Sequence, residues 1–98
     1  MPHQIHFAPL AVRNLAALRA RDRAIIVDAI EDQLSNEPTA ETRNRRAMRA
    51  NPLAGWEFRI GSLRVDYDVE DMEGMVWINA IGRKHGNRVV IGGEEFEL

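Results

Sequence analysis

The chain has 98 residues, 45% hydrophobic and 29% charged, with a formal charge of −2; this fits one ordinary globular domain over 1–98 and excludes disordered and fibrous classes. It contains no cysteine, which removes disulfides and thiolate chemistry, and no cluster has metal-ligand spacing, so neither a metal nor a cofactor is expected. No apolar run approaches the roughly 18 residues of a membrane span and residues 1–10 lack a signal-peptide pattern, so the expected compartment is the cytoplasm, with no membrane partner.

"HQIHF" (3–7) puts Ile5 and Phe7 on one face and ends at Ala8-Pro9, which predicts a short first strand. Helical spacing follows. Ala11, Leu15 and Leu18 share one face behind Pro9, and Ile26, Ala29, Ile30 and Leu34 share another, with Asp22 placed to cap the second helix. The short break over 19–23 predicts an antiparallel helical hairpin. "SNEP" (35–38) ends it, and the polar, basic stretch 39–49 reads as a short helix or an irregular surface segment.

"WEFRIGSLRVDYDV" (56–69) alternates apolar and polar residues on both sides of Gly61-Ser62, the pattern of two half-buried strands joined by a type II′ turn. That register pairs Ile60 with Leu63, sets Arg59 opposite Arg64 and sets Glu57 opposite Asp66. Like charges directly opposite each other destabilise a strand pair. Either diagonal ion pairs, Arg59 with Asp66 and Arg64 with Glu57, form a surface lattice, or the arginines await an anion. The apolar run 75–81 reads as a central strand, and Val89, Val90 and Ile91 as a final short one. The expected fold is therefore α+β: an N-terminal strand, then a helical hairpin packed on one face of a small, mostly antiparallel sheet of four to five strands.

Charge is unevenly distributed along this chain. Arg43, Arg45, Arg46 and Arg49 form one basic group, Arg59 and Arg64 a second, and Arg83, Lys84 and Arg88 a third, while Glu94, Glu95 and Glu97 crowd the C-terminus. With helices on one face, the basic groups can converge on the other, where an RNA backbone would bind through its phosphates. The C-terminal glutamates could occupy the same concavity as an internal mimic of phosphate.

The hairpin with arginines at both opposed positions, followed by an apolar strand ending in "GRK" (82–84), resembles the C-terminal half of the RelE/ParE toxin family of bacterial toxin-antitoxin systems; the strand and helical hairpin before it fit the N-terminal half. The resemblance implies a toxin covered by a cognate antitoxin. RelE-like members cleave messenger RNA in the ribosome, whereas ParE-like members inhibit DNA gyrase; a decayed antitoxin-binding module is a third reading. It also implies that Arg59 and Arg64 face the scissile phosphate, that Arg49 matches a basic residue before the same strand, and that Lys84 or Arg83 fills the basic position after the central strand. Two departures stand out: Val90 lies near where some relatives carry a tyrosine, and Glu57 replaces a base-type residue found in the best-known members.

Cleavage by the ribose 2′-hydroxyl needs a proton acceptor, cations on the phosphoryl oxygens and a donor for the leaving 5′-oxygen. Arginine supplies charge alone, since it stays protonated. Glu57, or a ribosomal or substrate group, is the candidate acceptor and His85 the candidate donor, histidine being the side chain that ordinarily titrates near neutrality.

Overall fold

The computed structural model of the chain describes the backbone of residues 2–49, 51, 53–92 and 94–97, and the side chains of all these except 94, 96 and 97. The elements run β1 (Gln4–Phe7), α1 (Pro9–Ala16), α2 (Ala20–Leu34), β2 (Arg45–Ala47), β3 (Trp56–Ile60), β4 (Leu63–Glu70), β5 (Met75–His85), β6 (Arg88–Ile91) and β7 (Glu94–Glu97). Strands β2 to β7 lie side by side in chain order, each antiparallel to the next. β1 is the one parallel member among the described strands: Gln4 to Phe7 pair with Met75 to Ile78, on the edge of β5 that β6 takes up further along.

This is the expected α+β layout, extended at both sides. The stretch read as a short helix or irregular segment contains the edge strand β2 instead, because its backbone pairs with β3, Arg46 opposite Glu57. At the other side β7 adds to β6. β5 also runs through His85 rather than stopping at Ile81.

The hairpin register is the one the alternation predicts, with Ile60 opposite Leu63 and Arg59 opposite Arg64. Gly61 sits at φ 57° and Glu37 is the one described non-glycine residue at positive φ. Ser62 is therefore at negative φ, which fits a type II′ turn and excludes type I′.

Ile26, Ile30 and Leu34, on one stripe of α2, form a single buried cluster with Phe58, Val65, Tyr67, Val76, Ile78 and Ile81 of the sheet; Leu15 and Leu18 pack against it partly exposed. Each such aliphatic side chain contributes about 1.5–3 kcal/mol on burial. The Tyr67 hydroxyl donates to the Pro38 carbonyl at 2.7 Å, tying the segment after α2 to the sheet. Burial pushes that hydroxyl's pKa up to about 12.

Asp22 does not cap α2. Arg19 holds the N-cap position without a side-chain cap, and Asp22 lies in the first turn. Its carboxylate favours the positive end of the helix dipole from there.

A bulge in β5 positions the rest. Asp66 pairs with Ala80 but Tyr67 with Ile78, so Asn79 has no residue opposite it. The extra residue reverses the alternation. Before it, Val76 and Ile78 face the helices; after it, Ile81 joins the same core while Ala80, Gly82 and Lys84 share the opposite face with Asp66 and Arg64. Asn79 donates to the Leu53 carbonyl at 2.9 Å and to Asp68 Oδ2 at 2.8 Å. Near the bulge the Ile81 amide is satisfied by Asn14 Oδ1 of α1 at 3.0 Å.

Candidate functional site

On the sheet face away from the helices, β2, β3, β4 and the end of β5 form a cleft of about 210 Å³. It is lined by Arg46, Glu57, Arg59, Arg64 and Lys84, with Asn87 and Val89 at the β6 side. This volume is below the roughly 300–1,000 Å³ of small-molecule pockets and suits one anionic group with its neighbours outside. Four cations and one carboxylate make the lining strongly positive at near-neutral total charge.

The opposed like charges are held apart by local partners. Arg59 Nε donates to Glu57 Oε1 on its own strand at 2.9 Å. Arg46 Nε, from β2, lies 3.6 Å from the same oxygen. Arg64 Nη1 donates to the Gly61 carbonyl at 2.6 Å and the Leu63 carbonyl at 2.9 Å, fastening the hairpin turn. The diagonal ion pairs expected from sequence, Arg59 with Asp66 and Arg64 with Glu57, are not formed.

Nor is this face simply wet. Glu57 is 4% exposed, Arg64 7% and Asp66 0%. Burial lowers the pKa of Arg64 from its ordinary value, Arg59 and Arg46 adding to that effect and Glu57 and Asp66 opposing it. Asp66 is pushed up to about 7, first by burial and next by Glu57, with Arg64 pulling the other way. Neither oxygen of Asp66 has a hydrogen-bond partner among the described residues. Its cross-strand neighbour Ala80 belongs to a second buried apolar cluster with Val89 and Ile91, against which Leu53 packs.

Five of the residues singled out from the sequence therefore meet in one cleft: Arg46, Glu57, Arg59, Arg64 and Lys84. The other six lie elsewhere. Arg83, on the helix face after the bulge, donates to Asp22 Oδ2 at 3.1 Å and Ser62 Oγ at 2.7 Å. His85 follows it in the same alternation, exposed at the end of β5 and outside the cleft lining.

Arg45 is a buried structural residue whose Nη1 donates to the Gln33 and Glu37 carbonyls at 3.0 and 3.1 Å, where α2 ends. Arg49 lines a separate cleft with Met48, Asn51 and Asp68. Arg43 is exposed two residues before β2. Arg88 Nη1 meets Glu95 Oε2 at 2.6 Å on the surface. Of the three C-terminal glutamates expected to occupy the concavity, Glu95 thus meets Arg88 outside the cleft lining, and the side chains of Glu94 and Glu97 lie outside the described residues. Asp66, expected as a surface counter-ion, is instead buried; that burial has no signal in the local sequence, because it depends on β5 lying beside β4 and β6 beside β5.

No protein-family model matches the chain, and no curated protein matches it by sequence. Solved structures do match in three dimensions. The toxin-antitoxin complex RelBE2 from Mycobacterium tuberculosis has a chain that superposes with a TM-score of 0.75 at 26% identity, covering 86% of this chain and 93% of that one. In fold, this chain is similar to the RelE toxins. The archaeal RelE-RelB complex from Pyrococcus horikoshii OT3 matches with a TM-score of 0.69 at 18% identity, over 88% of this chain and 98% of that one. The RelE likeness spans both the helical hairpin and the sheet, as the resemblance of the arginine hairpin implied.

Proposed function

We propose that this RelE-type chain is the toxin of a type II toxin-antitoxin pair: a cytoplasmic, ribosome-dependent endonuclease that cuts messenger RNA and is silenced by a cognate antitoxin. The observation that carries the reading is the convergence of Arg46, Arg59, Arg64 and Lys84 around Glu57 in one phosphate-sized cleft. The antitoxin is supported by the neighbours, both solved as toxin-antitoxin complexes.

In this reading Arg59 turns from Glu57 to the phosphoryl oxygens, and Arg64, fixed by the turn carbonyls, adds charge beneath them. The release of Arg59 frees Glu57 to accept the proton of the attacking 2′-hydroxyl. The 2′-oxygen bonds to phosphorus as the bond to the 5′-oxygen breaks, and Lys84 supplies the leaving oxygen's proton. Glu57 and Lys84 take these roles because His85 lies outside the cleft, leaving them as the lining groups that can exchange a proton.

Induced expression with primer extension on cellular messages tests the reading. Codon-phased cuts should appear with the wild type and fall at least about a hundredfold in Lys84→Ala, consistent with loss of a general acid. Lys84 is exposed, so its variant should keep the wild-type melting temperature. Growth arrest with intact messages and DNA-damage signalling would transfer the assignment to gyrase inhibition.

A further inference from the structure

Asp66 is a carboxyl beside the cleft that the chemistry above does not use. It is fully buried in the middle of the sheet, opposite Glu57 on β3 and Ala80 on β5, and both its oxygens lack partners among the described residues. Arg64 is two residues away on the same face of β4, yet gives its Nη1 hydrogens to two backbone carbonyls. Packing on the β6 side is tight: a Cβ at Gly82, directly opposite Arg64, would lie 2.5 Å from the Val90 carbonyl oxygen and 2.6 Å from Ile91 Cγ1.

We propose that Asp66 is a positioning residue of the cleft: its neutral form leaves Arg64 and Arg59 available to an RNA phosphodiester, and its ionised form competes for Arg64 and weakens that engagement. This deepens the endonuclease reading and rests on it. The charged groups acting on the Asp66 carboxyl are Glu57 from β3, directly opposite, and Arg64 on its own strand; Asp68, next on the same face, accepts from the Gly55 amide and Asn79, and Val89 and Ile91 of β6 bring no charge.

The direction follows from linkage. Burial and Glu57 raise the Asp66 carboxyl to about 7, so ordinary conditions straddle its titration. A phosphodiester in the cleft brings another negative charge and raises Asp66's proton affinity further. Binding therefore takes up a proton and, reciprocally, weakens as pH rises.

The experiment is calorimetry on the full chain with two probes whose charge is constant across the range: a short single-stranded 2′-O-methyl RNA, which cannot be cleaved, and inorganic sulfate. Between pH 6 and 8 wild-type affinity for both should fall roughly five- to tenfold, with proton uptake revealed by buffers of different ionisation enthalpy. Asp66→Asn should hold the low-pH affinity throughout and take up no proton.

In the wild type, a carbon-13 titration of the Asp66 carboxyl with and without sulfate provides a measurement that needs no variant; its midpoint should move up on binding. Equal pH slopes in wild type and Asp66→Asn, or an unmoved midpoint, would overturn the role of Asp66 while leaving RNA binding intact. Sulfate binding with the predicted slope but no binding of the free RNA would overturn the engagement of an RNA phosphodiester by the isolated chain, and binding of neither probe would overturn the role of Asp66 altogether. The endonuclease reading is decided separately by the primer extension on cellular messages.

Discussion

Both faces of the sheet are buried at their centre, by different means. Toward the helices, Val65, Tyr67 and Ile78 are fully enclosed by an apolar cluster that includes α2. On the other face Glu57, Arg64 and Asp66 are at most 7% exposed, although no helix contributes to the small cluster of Ala80, Val89 and Ile91 beyond partly buried Leu10. The first face gains stability from removing hydrocarbon from water. The second encloses charges, which is unfavourable unless they are partnered. Arg64 and Glu57 are partnered; Asp66 has no hydrogen-bond partner among the described residues, and burial favours its neutral form. On the proposed reading, the second face is the one an anion would occupy.

Substitutions can break or sharpen this contrast. The largest expected loss is on the helix face: Ile78→Ala should destabilise by about 2–5 kcal/mol, equally at pH 5 and pH 8, as read by urea denaturation. The opposite face should show the reverse pattern. Asp66 keeps its proton in the folded chain up to about pH 7 and loses it in the unfolded chain near pH 4. The folded state thus binds more protons between these values, so this group's contribution to stability declines as pH rises from about 4 to 7 and is level above.

The decline is on the order of a few kcal/mol. Asp66→Asn should lack it and be more stable than wild type at pH 8, the opposite sign to Ile78→Ala. A wild-type profile that the substitution leaves unchanged would mean the carboxylate is stabilised by a partner.

The smallest effects separate arginines that look alike in sequence. Arg45→Ala should cost about 1–3 kcal/mol because it strips three carbonyls at the end of α2 of their donor. Arg88→Ala, which breaks one exposed pair with Glu95, should change the melting temperature within error.

Residues 56–69 show how far local chemistry reaches. A glycine that tolerates positive φ at the first turn position and strict alternation on both sides admit one register, and the opposition of Arg59 to Arg64 follows from it without knowledge of the rest of the chain. The helical hairpin and the core positions Ile26, Ile30, Phe58, Val65 and Ile78 were legible for the same reason: a period of 3.6 or 2 is a property of neighbouring residues. Within the basic segment 43–49 the same logic failed, because β2 exists through its pairing with β3, and this places Arg46 beside Glu57 while Arg45, one residue earlier, turns to the helix.

The bulge at Asn79 marks where sequence ends and tertiary structure begins. Read with an unbroken period of two from Val76 and Ile78, β5 would aim Lys84 at the helices and Arg83 at the cleft; the extra residue exchanges them, and the chain has no local signature for it because it arises between two strands. The buried state of Asp66 has the same origin. The sequence by itself determined the elements, the hairpin register and the polarity of each strand, since these depend on near neighbours. Which of two adjacent basic residues enters the cleft, which arginine caps a helix, and which carboxylate loses contact with water were decided when distant strands paired, because burial is a property of the assembled sheet and not of any segment within it.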